Sequence, residues 1–258
     1  MAMENENNLR QNNDADSVSD NRDSRRKWLR KISVATPALL LLANRPVMAA
    51  SCSISGFMSV RVGTSLTTHD PGLCDGWSPG NWKNVNGQIG QAAWDLTGVS
   101  RTATYFNQIF TTVKLAGTGI TINKVVGGTV SGVVERTSDI AISYLDAING
   151  NGLSGANNHK NIVSHAAATY LNGKFLENGG RGTNPDPWMI NYLAPADVIA
   201  LYLLYELTHL IVPVTGESYI VQRNGSMIAD GSLMATGDFA SFFVSLANGS
   251  GSQAWQDG

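Results

Sequence analysis

Pro195-Ala196-Asp197-Val198-Ile199-Ala200-Leu201-Tyr202-Leu203-Leu204-Tyr205-Glu206-Leu207-Thr208-His209-Leu210-Ile211-Val212-Pro213 is the stretch on which the fold turns. Proline opens it at a first-turn position, where the missing N–H costs nothing, and a second proline closes it. Between them Val198, Ile199, Leu201, Leu203, Leu204, Leu207, Leu210 and Ile211 fall on nearly all sides of a helix. A helix that is apolar all round belongs at the centre of a protein. About 16 residues is short of the roughly 20 that a membrane-spanning helix needs, so a buried helix is the expectation and a stable membrane span is not.

Outward from this helix, the spacing of apolar residues predicts further helices. Tyr105, Phe106, Ile109 and Phe110 suit a short one. Another is expected from Asp139 to about Asn149, capped by Ser138 and stopped by Gly150, with Ile140, Tyr144, Leu145 and Ile148 along one side. A third starts at Asn161 and runs through His165 and Leu171, and a last one covers Asp238 to Ala247. Residues 111–136 alternate Val113, Leu115, Ile120, Ile122, Val125 and Val126 with Thr, Lys and Gly, which reads as a β-hairpin or a glycine-broken loop. Phe57 to Val62 could form a strand. The expected fold class is therefore mainly α with minor β. One globular helical domain would have a core at 111–258, joined to an irregular, disulfide-closed N-terminal lobe at 50–110.

Residues 1–49 read as something else. From Met1 to Ser24 the chain is polar and without apolar periodicity. Then Ser24-Arg25-Arg26-Lys27-Trp28-Leu29-Arg30-Lys31 precedes an apolar run from Ile32 to Ala43 that Pro37 interrupts. The order of polar, basic, apolar and small-residue segments is that of an export signal, with cleavage after Ala49 or, next, Ala50. Ser24, Arg25, Arg26, Trp28 and Leu29 resemble the twin-arginine motif, with Trp28 at a position where Phe is commoner. Arg45, after the apolar run, resembles the charge that keeps such substrates off the general secretion channel. That resemblance implies the twin-arginine translocase as a partner during export, and a periplasmic, surface or extracellular destination.

Removal of that segment takes away eight of the 18 Lys and Arg and six of the 20 Asp and Glu, leaving a net charge of −4. No basic run survives, which argues against nucleic-acid binding, because that affinity rests on neutralised phosphates. All 27 glycines lie beyond residue 49. The two cysteines, Cys52 and Cys74, would most simply form one disulfide in an oxidising compartment. Cys52 also follows Ala49-Ala50-Ser51, a faint lipidation signal that lacks the usual leucine.

A second resemblance rests on Ser78, Pro79, Gly80, Trp82, Lys83 and Asn84. Exported bacterial proteins of unknown function carry a Ser-Pro-Gly-aromatic-Trp-Lys-Asn segment shortly after a cysteine. Here Asn81 stands at the aromatic position and Val85 where His is frequent. Weaker likeness continues at Leu145 to Gly155, at His165 to Asn172 and at Ala196 to Ile199. The resemblance implies export and a surface context, and no activity.

Chemistry-bearing residues are few. Glu206 and His209 stand at i and i+3 of the apolar helix, the spacing that helical di-iron sites use twice over, with two further glutamates. They could hold a metal or act in hydrolysis with His165 as a third group, or be a buried pair satisfied by hydrogen bonds. His159 and His165, six residues apart, do not have zinc-site spacing. No Gly-x-Ser-x-Gly elbow occurs. Trp77, Trp82 and Trp94 cluster near Asn81, Lys83 and Asn84, and could either stack on a glycan or cover the core. The expected function is a non-enzymatic surface or extracellular structural or interaction protein, able to assemble with copies of itself and needing no cofactor. A metal-dependent or hydrolytic enzyme and a glycan-binding module are the alternatives.

Overall fold

The computed structural model of the chain describes residues 76–84, 90–154, 157–180, 193–211 and 215–247. Helices among them are α1 (Pro79–Lys83), α2 (Gln91–Thr97), α3 (Phe106–Ile109), α4 (Tyr144–Asn149), α5 (Asn157–Glu177), α6 (Pro195–Tyr205) and α7 (Thr236–Ala247). The strands are β1 (Ile120–Val126), β2 (Thr129–Val133), β3 (Glu217–Arg223) and β4 (Ser226–Asp230). They form one sheet in the order β2-β1-β3-β4, antiparallel throughout.

The expectation of a mainly helical domain is overturned. Helix makes up 51% and strand 19% of the described residues, and the described strands join in a four-stranded antiparallel sheet. Among the described residues there is no disulfide, and neither cysteine is one of them. Cys52, Cys74, the export segment, its cleavage residues and the Phe57 to Val62 run all lie outside the described residues. The described part of the lobe expected to be irregular contains three short helices, α1, α2 and α3.

Two hairpins account for the difference. Gly127 and Gly128 join β1 to β2, with φ of 58° and 80°, and Asn224 and Gly225 join β3 to β4, with φ of 50° and 80°. Two successive residues at positive φ give the turn whose twist matches the flanking strands. Asn-Gly between Tyr219-Ile220-Val221 and Met227-Ile228-Ala229 is a strong local hairpin signal. The pairing of β1 with β3, Ile120↔Arg223 to Val126↔Glu217, then fuses the hairpins. No local pattern announces that long-range step.

The helix at 195–205 is placed as its apolarity demands. From Pro195 to Tyr205 only Ala196 is not buried. The sheet lies against one side of α6 through β1 and β3, and α5 packs on it from elsewhere; α5 in turn packs against α7, α4, α2 and α1. Ile120 and Ile122 of β1, with Tyr219 and Val221 of β3, share the core with α6. Gly173 of α5 permits this approach, because a Cβ there would lie 2.8 Å from the Leu193 carbonyl oxygen and 2.9 Å from Pro195 Cδ. The same core includes Trp77, Trp82 and Trp94.

Helix boundaries also shift. Helix α4 begins at Tyr144 and not at Asp139. Its cap is Ser143, whose Oγ accepts from Asp146 N–H and donates to the Asp146 carboxylate. Ser138 is spent elsewhere, as described below. Helix α5 starts four residues before the expected Asn161.

One amide joins two of the three tryptophans, and the third bonds to the second. Asn172 Oδ1 accepts from Trp77 N–H at 3.0 Å and from Trp82 Nε1–H at 2.8 Å, while its Nδ2 donates to the Trp77 carbonyl at 3.1 Å. Trp94 Nε1–H donates to the Trp82 carbonyl at 3.0 Å. The Trp82 ring meets Trp77 and Trp94 edge-on, with centroids 5.3 and 5.4 Å apart. Asn172 is itself buried, so removing its amide strands donors that water cannot reach. Asn172→Ala should lower the unfolding free energy by about 2–4 kcal/mol. A loss below about 0.5 kcal/mol in urea titrations would show that this amide does not organise the cluster.

Candidate functional site

Helix α6 does not end as an α-helix. Residues Glu206–Leu210 continue it as a π-helical turn, and Ile211 N–H donates to the Glu206 carbonyl, five residues back, at 3.0 Å. Thr208 marks the place. Its hydroxyl donates to the Leu204 carbonyl at 2.8 Å and approaches that of Tyr205 at 3.3 Å, drawing on acceptors of the regular ladder. Single π turns recur at functional sites, and this one carries both members of the Glu206–His209 pair.

The wider turn separates them. Each residue advances by a smaller angle than in an α-helix, so residues three apart no longer share a face. Glu206, 1% exposed, turns to the segment after β2. Its Oε1 accepts from Ser138 Oγ–H at 2.5 Å and from Tyr202 O–H at 3.0 Å. Its Oε2 lies 3.4 Å from Arg136 Nη2, which also reaches Asp139 at 2.6 Å. His209 turns the other way. Its Nε2–H donates to the Met234 carbonyl at 2.8 Å, and its ring packs on Tyr205 and Phe239. The carbonyl can only accept, which assigns the proton to Nε2.

Burial pushes the Glu206 carboxyl above the usual glutamate range, against the pull of Ser138, Tyr202 and Arg136. Burial, with the charge of Glu206 beside it, holds the Tyr202 hydroxyl well above the ordinary tyrosine value, so it stays a donor. Burial and the same carboxylate push Tyr205 up to about 12. The Tyr205 hydroxyl lies 3.0 Å from His159 Nδ1, and burial holds that imidazole below its ordinary pKa. The two share a hydrogen bond whose direction is set by the tautomer of the His159 imidazole.

His165 stands apart from this group. Its Nδ1 lies 2.8 Å from the Asn161 carbonyl, one turn earlier on α5, and burial lowers its pKa. It is not brought to Glu206 and His209, and no group of three His, Cys, Asp or Glu able to hold a metal ion occurs among the described residues. Trp82 and Trp94 are fully buried and Trp77 nearly so, which leaves no open ring face for a sugar.

The Ser78 to Asn84 segment has a folding role that its residue types explain. Ser78 Oγ accepts from Asn81 N–H at 3.4 Å, Pro79 occupies the first turn of α1, and Asn84 closes the helix through its N–H to the Asn81 carbonyl. Trp82 points into the core. The Lys83 carbonyl lies 3.5 Å from Arg101 Nη2, and the Arg101 guanidinium stands 5.6 Å from the Trp94 ring centroid. Beside it is a cleft of about 590 Å³, formed by α2, the following turn and Leu145. Of the candidate residues only Trp94 lines it.

Arg136, Ser138, Tyr202 and Tyr205 were not singled out as site residues from the sequence. Tyr202 and Glu206 at i and i+4 of one helix were within reach of helical spacing. Arg136 and Ser138 lie 70 and 68 residues from Glu206, and nothing local couples them to it.

No protein-family model matches the chain, and no curated protein or solved structure matches it.

The raised Glu206 pKa has a consequence of definite sign. Native Glu206 keeps a proton at pH values where the unfolded chain has released it. Stability contributed by this group therefore falls as pH rises from the ordinary glutamate value, about 4, through the raised one. The stability of wild type relative to Glu206→Gln should decline across that window in urea unfolding at stepped pH. A difference between the two proteins that is independent of pH would contradict the burial account.

Proposed function

We propose that this chain is an exported, non-enzymatic interaction protein. The observation that carries the proposal is the use made of Glu206, the strongest candidate for catalysis or metal binding. Its carboxylate is buried and occupied by Ser138, Tyr202 and Arg136. A general base must reach a substrate proton, and a metal ligand must offer a free lone pair to an accessible cavity. Glu206 does neither, and His209 spends its Nε2–H on a backbone carbonyl on another side. Both residues act as ties between elements. The Trp77, Trp82 and Trp94 rings act as core, which removes the motive for a glycan-stacking role.

Support for export comes from residues 24–49: the paired arginines, the short interrupted apolar run, Arg45 and the small residues at Ala49 and Ala50. Among the described residues no helix is long and apolar enough to cross a membrane. Arg25→Lys with Arg26→Lys keeps both charges but removes the planar guanidinium groups that a twin-arginine receptor would read. Immunoblots of cytoplasmic and exported fractions should show the wild-type chain processed and exported, and the double variant retained as precursor. Elemental analysis of the exported protein should find no stoichiometric metal. Normal processing of the double variant would overturn the route. A bound metal lost in Glu206→Gln or His209→Ala would overturn the non-enzymatic reading.

A further inference from the structure

Among the described residues strand β2 is an outer edge of the sheet, and all five of its residues are exposed. From Gly127 to Val134 the sequence is Gly-Gly-Thr-Val-Ser-Gly-Val-Val, without charge or proline. Natural edge strands are usually protected by lysine, proline or a cover, because their open backbone groups template pairing with another chain. Here Val130 is 46% and Val133 65% exposed, and neither is shielded by such a residue.

The register says which backbone groups are open. Val134 N–H donates to the Ile122 carbonyl at 2.8 Å, so residue 134 faces β1 and Val133, one residue earlier, faces away. At the other end the two-residue turn makes Val126↔Thr129 the closing pair, so Val130 faces away as well. Ser131 is the extra residue where the register shifts opposite Lys124 and Val125. Val130 pairs with Val125, and Val133 with Asn123, two residues apart on β1. The bulge thus leaves the outward groups of Val130 and Val133 at the ordinary ladder repeat of about 6.8 Å. Both side chains lie on the sheet face of Asn123 and Val125, away from the core face of Ile120 and Ile122.

We propose that β2 pairs antiparallel with β2 of a second copy of this chain, about a two-fold axis between Ser131 and Gly132, to make a continuous eight-stranded sheet. This deepens the reading of the chain as an interaction protein, and rests on it, by naming the partner. In that register Val130 of each copy stands opposite Val133 of the other, and each pair exchanges two backbone hydrogen bonds. The same two positions supply both sides of the contact, as a two-fold interface requires. Four valines meet at the axis as β-branched cross-strand pairs, and no charge is opposed to a like charge. Asp230 makes the β4 edge a poorer candidate for self-pairing.

Sedimentation equilibrium of the purified full chain tests this. Wild type should show a reversible monomer–dimer equilibrium, and the Val130 and Val133 amides should gain hydrogen-exchange protection as concentration rises. Val133→Lys, at an exposed site, should weaken the dimer at least about tenfold by bringing like charges to the axis. Val130→Glu combined with Val133→Lys should restore it, because each new carboxylate then faces a new ammonium group. Wild type that stays monomeric to about 100 µM would overturn the proposal. So would a dimer that Val133→Lys leaves intact, or a double variant no better than the single one. A monomer found in the exported fraction would defeat the pairing and spare the interaction reading; a dimer retained in the cytoplasm would uphold the pairing and overturn the export.

Discussion

A buried carboxylate at the C-terminal end of a helix faces two penalties, loss of water and repulsion from the helix dipole. Glu206 meets both, and the fold is arranged around compensating it. Three donors converge on it, from α6 itself through Tyr202 and from the segment after β2 through Ser138 and Arg136. At the opposite end of α6 another buried carboxylate, Asp197, takes Arg223 of β3 at 2.5 Å. There the helix dipole favours the negative charge. The central helix is thus tied at one end to the exit of the first hairpin and at the other to the second. These ties fix how the sheet sits on the helix, a relation that apolar contact alone leaves free to slide.

The π turn belongs to this arrangement. An α-helical continuation would bring Glu206 and His209 to one face. The widened turn sends Glu206 to the 136–139 segment and His209 to Met234, so two separate parts of the chain are anchored within five residues. Gly231 follows from the same packing, since a Cβ there would collide with the Thr208 methyl group. Removing one partner of such a network leaves the others buried without compensation, which is why these groups stabilise together more than singly.

What was legible in the sequence was whatever depends on local spacing. The all-round apolarity of Val198 to Ile211 marked α6 as central, Gly150 stopped α4, and Phe106 and Ile109 gave α3. The sheet was half visible at Ile120 to Val126 and overlooked at Tyr219 to Ala229, although Asn224-Gly225 announced a turn. The pair at Glu206 and His209 was legible as chemistry but was placed on an ideal α-helix, and its geometry depends on where the Thr208 hydroxyl bonds. Ser138, just before Asp139, fits a helix cap by sequence alone. Its hydroxyl instead meets a carboxylate 68 residues away. The tryptophan cluster favours core packing over sugar stacking by sequence alone, and Asn172 fastens it inside.

The claim that Glu206 is a structural tie, and not a reactive group in reserve, is tested most directly by a double-mutant cycle between Ser138→Ala and Glu206→Gln. Unfolding free energies of the two single variants and the double variant should show a coupling of about 1–3 kcal/mol, because the two side chains complete one buried hydrogen bond. Additive losses, with a coupling under about 0.3 kcal/mol, would contradict the account and return Glu206 to the pool of groups available for chemistry.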